Sequence, residues 1–246
     1  MLIPQKVGRK LIVEDVFSDL SAVQKQKAVL DSLEASLQTV MAGDKNDDDK
    51  KKAKKAMEKV FAVKLHLVKD KKTIGRIEKK YDKTRNRVHS CNHLGVKTVY
   101  SVEIENMKKA FDKCKVKNVK ELWHGTRASN LLSILKGGLI IPSASSSHCT
   151  GRMYGDGLYF SDQSTKSLNY AYGYWGNGKR DSNCFMFLCS VKMGKEYTPS
   201  SSYGHYPQRG YDSTFAKAGK SGVMNNEMIV YSLPQVNLNY LIEFSD

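Results

Sequence analysis

The sequence predicts an α+β protein: a basic helical segment over residues 1–84, then a larger domain over 85–246 built mostly of short strands. Two observations carry that division. The apolar spacing changes from helical intervals to alternation near residue 95. The charge is also uneven, with 29 basic against 16 acidic residues over 1–120 (net +13) and 11 against 9 over 121–246 (net +2).

In chain order, Val23, Leu30, Leu33, Leu37, Val40 and Met41 recur at intervals of three, four and seven, which makes one helical stripe over 22–41. Residues 43–55 are almost all charged or polar and read as a linker. Helices are expected over 53–66, with Met57, Val60 and Phe61 on one side, and over 71–83, with Ile74, Ile77 and Tyr81. Three short helices bury little surface alone, so they are expected to dock on the larger domain. Beyond residue 95, Thr98, Tyr100, Val102 and Ile104 alternate with mostly polar neighbours and predict a strand. Further strands are expected over 120–124, 157–161, 184–193, 226–232 and 238–244. Helical patches are expected over 128–136 and 164–172, and a Ser/Gly-rich loop over 138–157. No internal repeat is visible.

The 246 residues, 40% hydrophobic with 13 Tyr and 2 Trp, suffice for one sizeable domain and a smaller one. No apolar run approaches the roughly 18 residues that span a bilayer, and Met1–Lys6 lacks a signal peptide's apolar stretch. A soluble intracellular protein, nuclear or cytoplasmic, with no membrane partner is expected. Cys91, Cys114, Cys149, Cys184 and Cys189 form no even framework, so free thiols are expected, with Cys184 and Cys189 in the core. His89-x-Cys91-x-His93 suggests a metal site, but a structural zinc needs about four ligands and no Cys-x-x-Cys pair accompanies it, so no metal is expected. The basic N-terminal part attracts a polyanion such as nucleic acid, or it is a solvated helical surface; charge alone does not choose.

Three polar side chains carry the functional reading, each on a short apolar run that reads as a strand. They are His124 in Leu122-Trp123-His124-Gly125-Thr126, Tyr159 in Gly157-Leu158-Tyr159-Phe160, and Glu227 in Asn225-Asn226-Glu227-Met228-Ile229-Val230-Tyr231. Strands can hold an imidazole, a ring and a carboxylate rigidly around one ligand. Singly, each has a plainer explanation: a core His, a packing Tyr, a solvent-facing Glu. Rival motifs fail. Gly155-Asp156-Gly157 opens no Rossmann fingerprint, and Gly176-Asn177-Gly178-Lys179 lacks the phosphate-loop spacing.

Together and in this order, these segments resemble the His-Tyr-Glu signature of the poly(ADP-ribose) polymerase catalytic domain, over about residues 86–244. Gly151–Gly155 resembles the end of the family's donor loop, Ser164–Tyr170 its Ser-Lys-Ser-x-x-Tyr element, and Gln235–Leu241 a C-terminal strand. The Arg-Ser-Glu branch of ADP-ribosyltransferases fits less well, because it expects Glu where Asn225 stands. The resemblance implies an ADP-ribosyltransferase-like core of packed antiparallel sheets with short helices, NAD⁺ as co-substrate and no metal. It implies Tyr159 and Tyr170 as the faces that hold the cationic nicotinamide ring, by stacking and cation–π attraction of about 1 kcal/mol or more each. It implies the Gly125 backbone and the Ser167 hydroxyl at the carboxamide, His124 and Asn130 at the adenosine ribose, and Thr126 and Lys166 in the same donor-binding set. His124, Tyr159 and Glu227 are the implied catalytic residues, with Glu227 facing the positive charge that develops as the glycosidic bond breaks.

The implied activity is release of nicotinamide and transfer of ADP-ribose to protein side chains, with elongation to poly(ADP-ribose) permitted by Glu227. Implied partners are acceptor proteins and the polymer, with nucleic acid possible on the basic N-terminal helices. A non-catalytic ADP-ribose or NAD⁺ sensor and an NAD⁺ glycohydrolase stay open as alternatives. The sequence departs from the family at Met228, where an aromatic is common, at Ile140, where some relatives carry Arg, and in a donor loop containing His148 and Cys149. Cys184 and Cys189 alone do not reproduce the zinc cluster of tankyrase-type relatives. Gln26–Leu33 and Ile77–Tyr81 faintly resemble a shortened form of the helical regulatory domain of DNA-damage-responsive relatives. No zinc finger or Trp-Gly-Arg module precedes them, so DNA-dependent activation is not expected.

Overall fold

The computed structural model describes residues 5–7, 10–12, 63–141, 152–174 and 184–246. The stripe expected over 22–41, the linker, most of the helix expected over 53–66 and part of the 138–157 loop lie outside them. The chain groups into two compact units, Met1–Ala62 and Val63–Asp246. In the first, β1 (Gln5–Val7) and β2 (Lys10–Ile12) pair antiparallel, a hairpin that the sequence pattern does not announce.

The second unit begins upstream of the boundary expected at 84/85. Val63–Leu67 is a strand, β3, rather than the end of a helix over 53–66. Its Val63, Leu65 and Leu67 alternate with Lys64 and His66, which is the strand period. The helix expected over 71–83 is present as α1 (Lys71–Lys83). Asp70 caps it, accepting from the Lys72 and Thr73 amides at 3.2 and 2.9 Å. One turn apart, Ile77 and Tyr81 are buried, so α1 docks on this unit as expected.

The expected α+β architecture is borne out. β3, β4 (Gly95–Ile104), β5 (Val119–Gly125), β7 (Cys184–Lys192) and β11 (Val236–Ser245) form an antiparallel sheet ordered β3-β4-β11-β7-β5. β6 (Leu158–Phe160), β8 (Glu196–Tyr197), β9 (Ser213–Ala216) and β10 (Glu227–Val230) form a second sheet ordered β6-β10-β9-β8, in which β8 and β9 run parallel. α2 (Glu105–Lys113) follows β4. A 3₁₀ turn, Ala128–Asn130, leads into α3 (Leu131–Gly137), and α4 (Ser164–Tyr172) follows β6. Among the described residues, no helix is long and apolar enough to cross a membrane.

Alternation along the strands divides the core. On one face of the five-stranded sheet, Leu122, Phe187, Cys189, Val191 and Leu241 meet Leu158, Phe160, Met228 and Val230 of the second sheet. On the other, Trp123, Met186, Leu188, Ile242 and Phe244 meet Ile77 and Tyr81 of α1 and Leu168 and Ala171 of α4. β7 is covered on both faces, which is why Cys184–Val191 reads as a nearly continuous apolar run. Cys184 and Cys189 are buried free thiols there, as expected. A large buried side chain such as Phe187 or Leu188 contributes about 1.5–3 kcal/mol, so β7 is the axis on which both layers hang.

Candidate active site

The two sheets are joined where β5 and β6 end. The Trp123 amide donates to the Ser161 carbonyl at 2.9 Å, and the Ser161 amide donates back to Trp123 at 3.0 Å. This bridge sets His124 beside Tyr159, with Nδ1 at 2.9 Å from the Tyr159 carbonyl oxygen. A carbonyl can only accept, so Nδ1 carries the proton and Nε2 keeps an acceptor lone pair. Burial pushes the His124 pKa below its ordinary value, against the opposing effect of the Tyr159 bond. The imidazole is therefore neutral at neutral pH.

β6 and β10 pair antiparallel with Tyr159 opposite Ile229. Side chains alternate, so Leu158, Phe160, Met228 and Val230 enter the core while Tyr159, Ile229 and Glu227 share the opposite face. The Tyr159 hydroxyl donates to the Gly155 carbonyl at 2.8 Å and accepts from the Tyr154 amide at 3.0 Å, which ties down the turn over Arg152–Gly155. Gly155 has φ +80°, and a Cβ there would lie 2.8 Å from the Tyr206 Cβ, so the turn excludes a side chain. Burial and the nearby Glu227 carboxylate push the Tyr154 hydroxyl up to about 12. Asn226 is fixed in turn. Its side chain donates to Asp162 at 2.8 Å and accepts from the Ala218 amide at 2.9 Å, while its carbonyl accepts from the Ser161 hydroxyl at 2.9 Å.

α4 closes the site from the other side. A Cβ on Gly125 would fall 1.7 Å from the Ser167 carbonyl oxygen, so the strand and the helix backbone touch only because residue 125 has no side chain. The Ser167 hydroxyl donates to the Trp123 carbonyl at 3.0 Å. The Lys166 amine donates to the Glu227 carboxylate, and both side chains are only 14% exposed. Burial lowers the Lys166 pKa while Glu227 opposes that shift. Tyr170 lies one turn along α4 from Lys166 and is half-buried, which puts it on the same side of the helix.

The structure thus brings His124, Gly125, Tyr159, Lys166, Ser167 and Glu227 together around the junction of β5, β6, β10 and α4, with Tyr170 on the adjoining turn. Thr126 and Asn130 lie just past the end of β5, where Asn130 Nδ2 donates to Thr126 Oγ1 at 3.0 Å. Two contacts were not legible beforehand. The Lys166–Glu227 pair joins residues 61 apart, and the Asp162–Asn226 bond sets the residue before the carboxylate. The signal available was the pair of polar residues, Asp162 and Asn226, flanking the two apolar strands. The side chains of His89-x-Cys91-x-His93 are each engaged by protein groups: His89 by the Thr165 hydroxyl at 2.9 Å, Cys91 by the Thr165 carbonyl at 3.3 Å, and His93 by the Ser90 carbonyl at 2.9 Å. Among the described residues, no group of three or more His, Cys, Asp or Glu could hold a metal ion.

Comparison with known proteins gives a family. The family model described as the poly(ADP-ribose) polymerase catalytic domain matches residues 71–220, a stretch that contains every site residue named above except Asn226 and Glu227. A putative poly [ADP-ribose] polymerase-like protein 100L of Invertebrate iridescent virus 6 is 35% identical over 139 residues, covering 52% of this chain and 72% of the viral protein. Poly [ADP-ribose] polymerase 1 of Arabidopsis thaliana is 32% identical over 68% of this chain. Poly [ADP-ribose] polymerase 1 of Gallus gallus is 28% identical over 98% of this chain, a span that reaches past the family-model match. The matches cover 20% and 26% of those two longer relatives. Protein mono-ADP-ribosyltransferase PARP4 of Mus musculus is also similar, 30% identical over 53% of this chain.

Proposed function

The chain belongs to the poly(ADP-ribose) polymerase family and carries its NAD⁺ ADP-ribosyltransferase catalytic domain, and from that premise we propose that it releases nicotinamide from NAD⁺, transfers the ADP-ribose to protein side chains, and extends it into a polymer. The observation that carries this reading is the Glu227 carboxylate, largely buried on the face it shares with Tyr159 and held by Lys166. A carboxylate has roughly four acceptor positions, so the Lys166 contact leaves room for a ribose hydroxyl.

In this reading Tyr159 and Tyr170 hold the cationic nicotinamide ring, while the Gly125 backbone and Ser167 take its carboxamide. The neutral His124 presents its Nε2 lone pair to an adenosine ribose hydroxyl, with Thr126 and Asn130 beside it. The C1′–N bond breaks and its electron pair passes to the ring nitrogen, so neutral nicotinamide leaves. Glu227 stabilises the cationic ribose and orients the incoming oxygen; an acceptor hydroxyl passes its proton to the Glu227 carboxylate, and on to solvent, as its bond to C1′ forms. Lys166 keeps the carboxylate aimed. The part of the basic segment that precedes the second compact unit, residues 1–62, is read as a regulatory arm able to meet nucleic acid. Deleting residues 1–62, which leaves the second compact unit whole, tests its effect on rate.

The test is incubation with NAD⁺ labelled in the adenosine ribose, scoring nicotinamide release and protein-bound label. Removing one electrostatic stabiliser costs about 10²–10³ in rate, so Glu227→Ala should lose both signals to that degree. Label found only as free ADP-ribose would make the protein a glycohydrolase, and no nicotinamide release would make it a sensor.

A further inference from the structure

A second feature, which donor binding does not use, borders the residue before Glu227. A cleft of about 430 Å³, lined by Lys83, Thr84, Arg85 and Arg87 on one side and by Asp162 and Asn226 on the other, lies directly beside the catalytic strand, since Asn226 is the residue before Glu227. Its basic wall is the end of α1 and the turn that follows. Reading back along α1, Lys72, Arg76, Lys79, Lys80 and Lys83 fall at helical intervals of three, four and one residues. At about 100° per residue they occupy a sector of roughly 100°. Ile77 and Tyr81 take the opposite, buried side.

Not every cation on that face is free. Arg76 donates to both Glu121 oxygens at 2.8–2.9 Å, and Lys80 lies 3.5 Å from the same carboxylate. Arg85 is held by the Asn92 carbonyl at 2.9 Å and by Asp82. Lys72, Lys79, Lys83 and Arg87 are exposed and make no ion pair among the described residues. Asp82 and Glu78, the acidic residues of α1, sit about 60° and about 100° round the helix from the stripe's near edge at Lys79. From Lys83 to Lys72 the stripe runs about 16 Å, with a cation at each turn.

We propose that this stripe is the track for the phosphate backbone of poly(ADP-ribose), carrying the growing chain between the cleft beside Glu227 and the surface of α1. The inference rests on the transferase reading above and names the polyanion that the site handles. Each ADP-ribose unit carries a doubly charged pyrophosphate, and unpaired lysines one helical turn apart attract such a chain without reading any sequence. The stripe's position selects this occupant over nucleic acid, because it starts at the cleft bordered by Asn226, the residue before the catalytic carboxylate.

The test uses the full chain with Lys72→Gln/Lys79→Gln and Lys72→Glu/Lys79→Glu, both exposed positions outside the donor site. Binding of end-labelled purified poly(ADP-ribose) is measured by anisotropy across a salt series, beside nicotinamide release and product length on a gel. The Gln pair should weaken polymer binding about tenfold at low salt and flatten the log–log salt slope by about 1.5, as losing two phosphate contacts requires. The Glu pair should weaken binding further. Initial nicotinamide release should stay within twofold of the parent and the product ladder should shorten. Unchanged polymer affinity and ladder length, with melting curves like the parent's, would make the stripe a solvated helix face and overturn the proposal. So would a larger loss of single-stranded DNA binding than of polymer binding. A parent protein that releases no nicotinamide refutes the transferase reading instead, and the binding arm then decides the track by itself.

Discussion

Gly125→Ala puts the closeness of β5 and α4 to a quantitative test. The new Cβ would sit 1.7 Å from the Ser167 carbonyl oxygen and 2.5 Å from its carbonyl carbon. Ordinary contact needs about 3.4 Å or more, so strand and helix must part by about 1.5 Å. That end of α4 is held by the Ser164 hydroxyl donating to the Tyr81 carbonyl at 2.9 Å, Ser167 to Trp123 at 3.0 Å, and His89 against Thr165 at 2.9 Å. A shift of that size breaks at least two of them. Each is worth about 1 kcal/mol net, and the overpacking adds about 1–3 kcal/mol, so a loss of about 3–5 kcal/mol is expected. Urea denaturation measures it, with Gly75→Ala as the control. Gly75 is inside α1 with nothing within 4 Å of a built Cβ, so that change should be neutral or stabilising by up to about 1 kcal/mol. Activity should fall with stability in Gly125→Ala, because Lys166 rides on the displaced helix and leaves Glu227. A Gly125→Ala protein within about 0.5 kcal/mol of the parent would refute the backbone contact from which the site is built.

Four further outcomes follow from the same geometry. Lys166→Met should lower stability by about 3 kcal/mol, since it strands a largely buried carboxylate, and should slow nicotinamide release. Tyr159→Phe keeps the ring but leaves the Tyr154 amide without its acceptor, at a cost of about 1–3 kcal/mol; KM for NAD⁺ should rise more than kcat falls. The His124 pKa is depressed in the fold, so below the ordinary value of about 6.5 the unfolded chain binds the proton more readily, and stability should decline as pH falls from there towards the folded value. His124→Asn should remove part of that decline, leaving the share due to His89, whose pKa is lowered by burial and by Lys166. Glu227→Gln should shorten product chains more than it slows the first transfer, readable as ladder length.

How much of this was legible in the sequence depends on how much of each element is buried. β4, β5, β7, β10 and β11 were readable because each carries alternating or continuous apolar positions that fill one or both core faces. α4 was readable for a different reason, its Ser-x-Lys-Ser spacing. α2 was missed because its apolar stripe is short, only Met107, Ala110 and Phe111 over nine residues, and none of them is fully buried. β3 was absorbed into a helix because Val60 and Phe61 precede it at helical spacing; its own alternation covers only five residues, Val63–Leu67. β8 and β9 are short, and Ser213-Thr214-Phe215-Ala216 has little strand signature. The candidate site residues could be named one by one, but not their mutual contacts. The bond from Lys166 to Glu227 depends on the Trp123–Ser161 bridge that joins the sheets, and no local periodicity encodes a contact between layers.

A crystal structure with a non-hydrolysable NAD⁺ analogue reports most directly on whether the β5–β6–β10–α4 junction is the donor site. The account predicts the nicotinamide ring between Tyr159 and Tyr170, its carboxamide on the Gly125 backbone and the Ser167 hydroxyl, and the adjoining ribose within hydrogen-bond distance of Glu227. An analogue seated elsewhere, or one in this groove with its ribose turned away from Glu227, would contradict it.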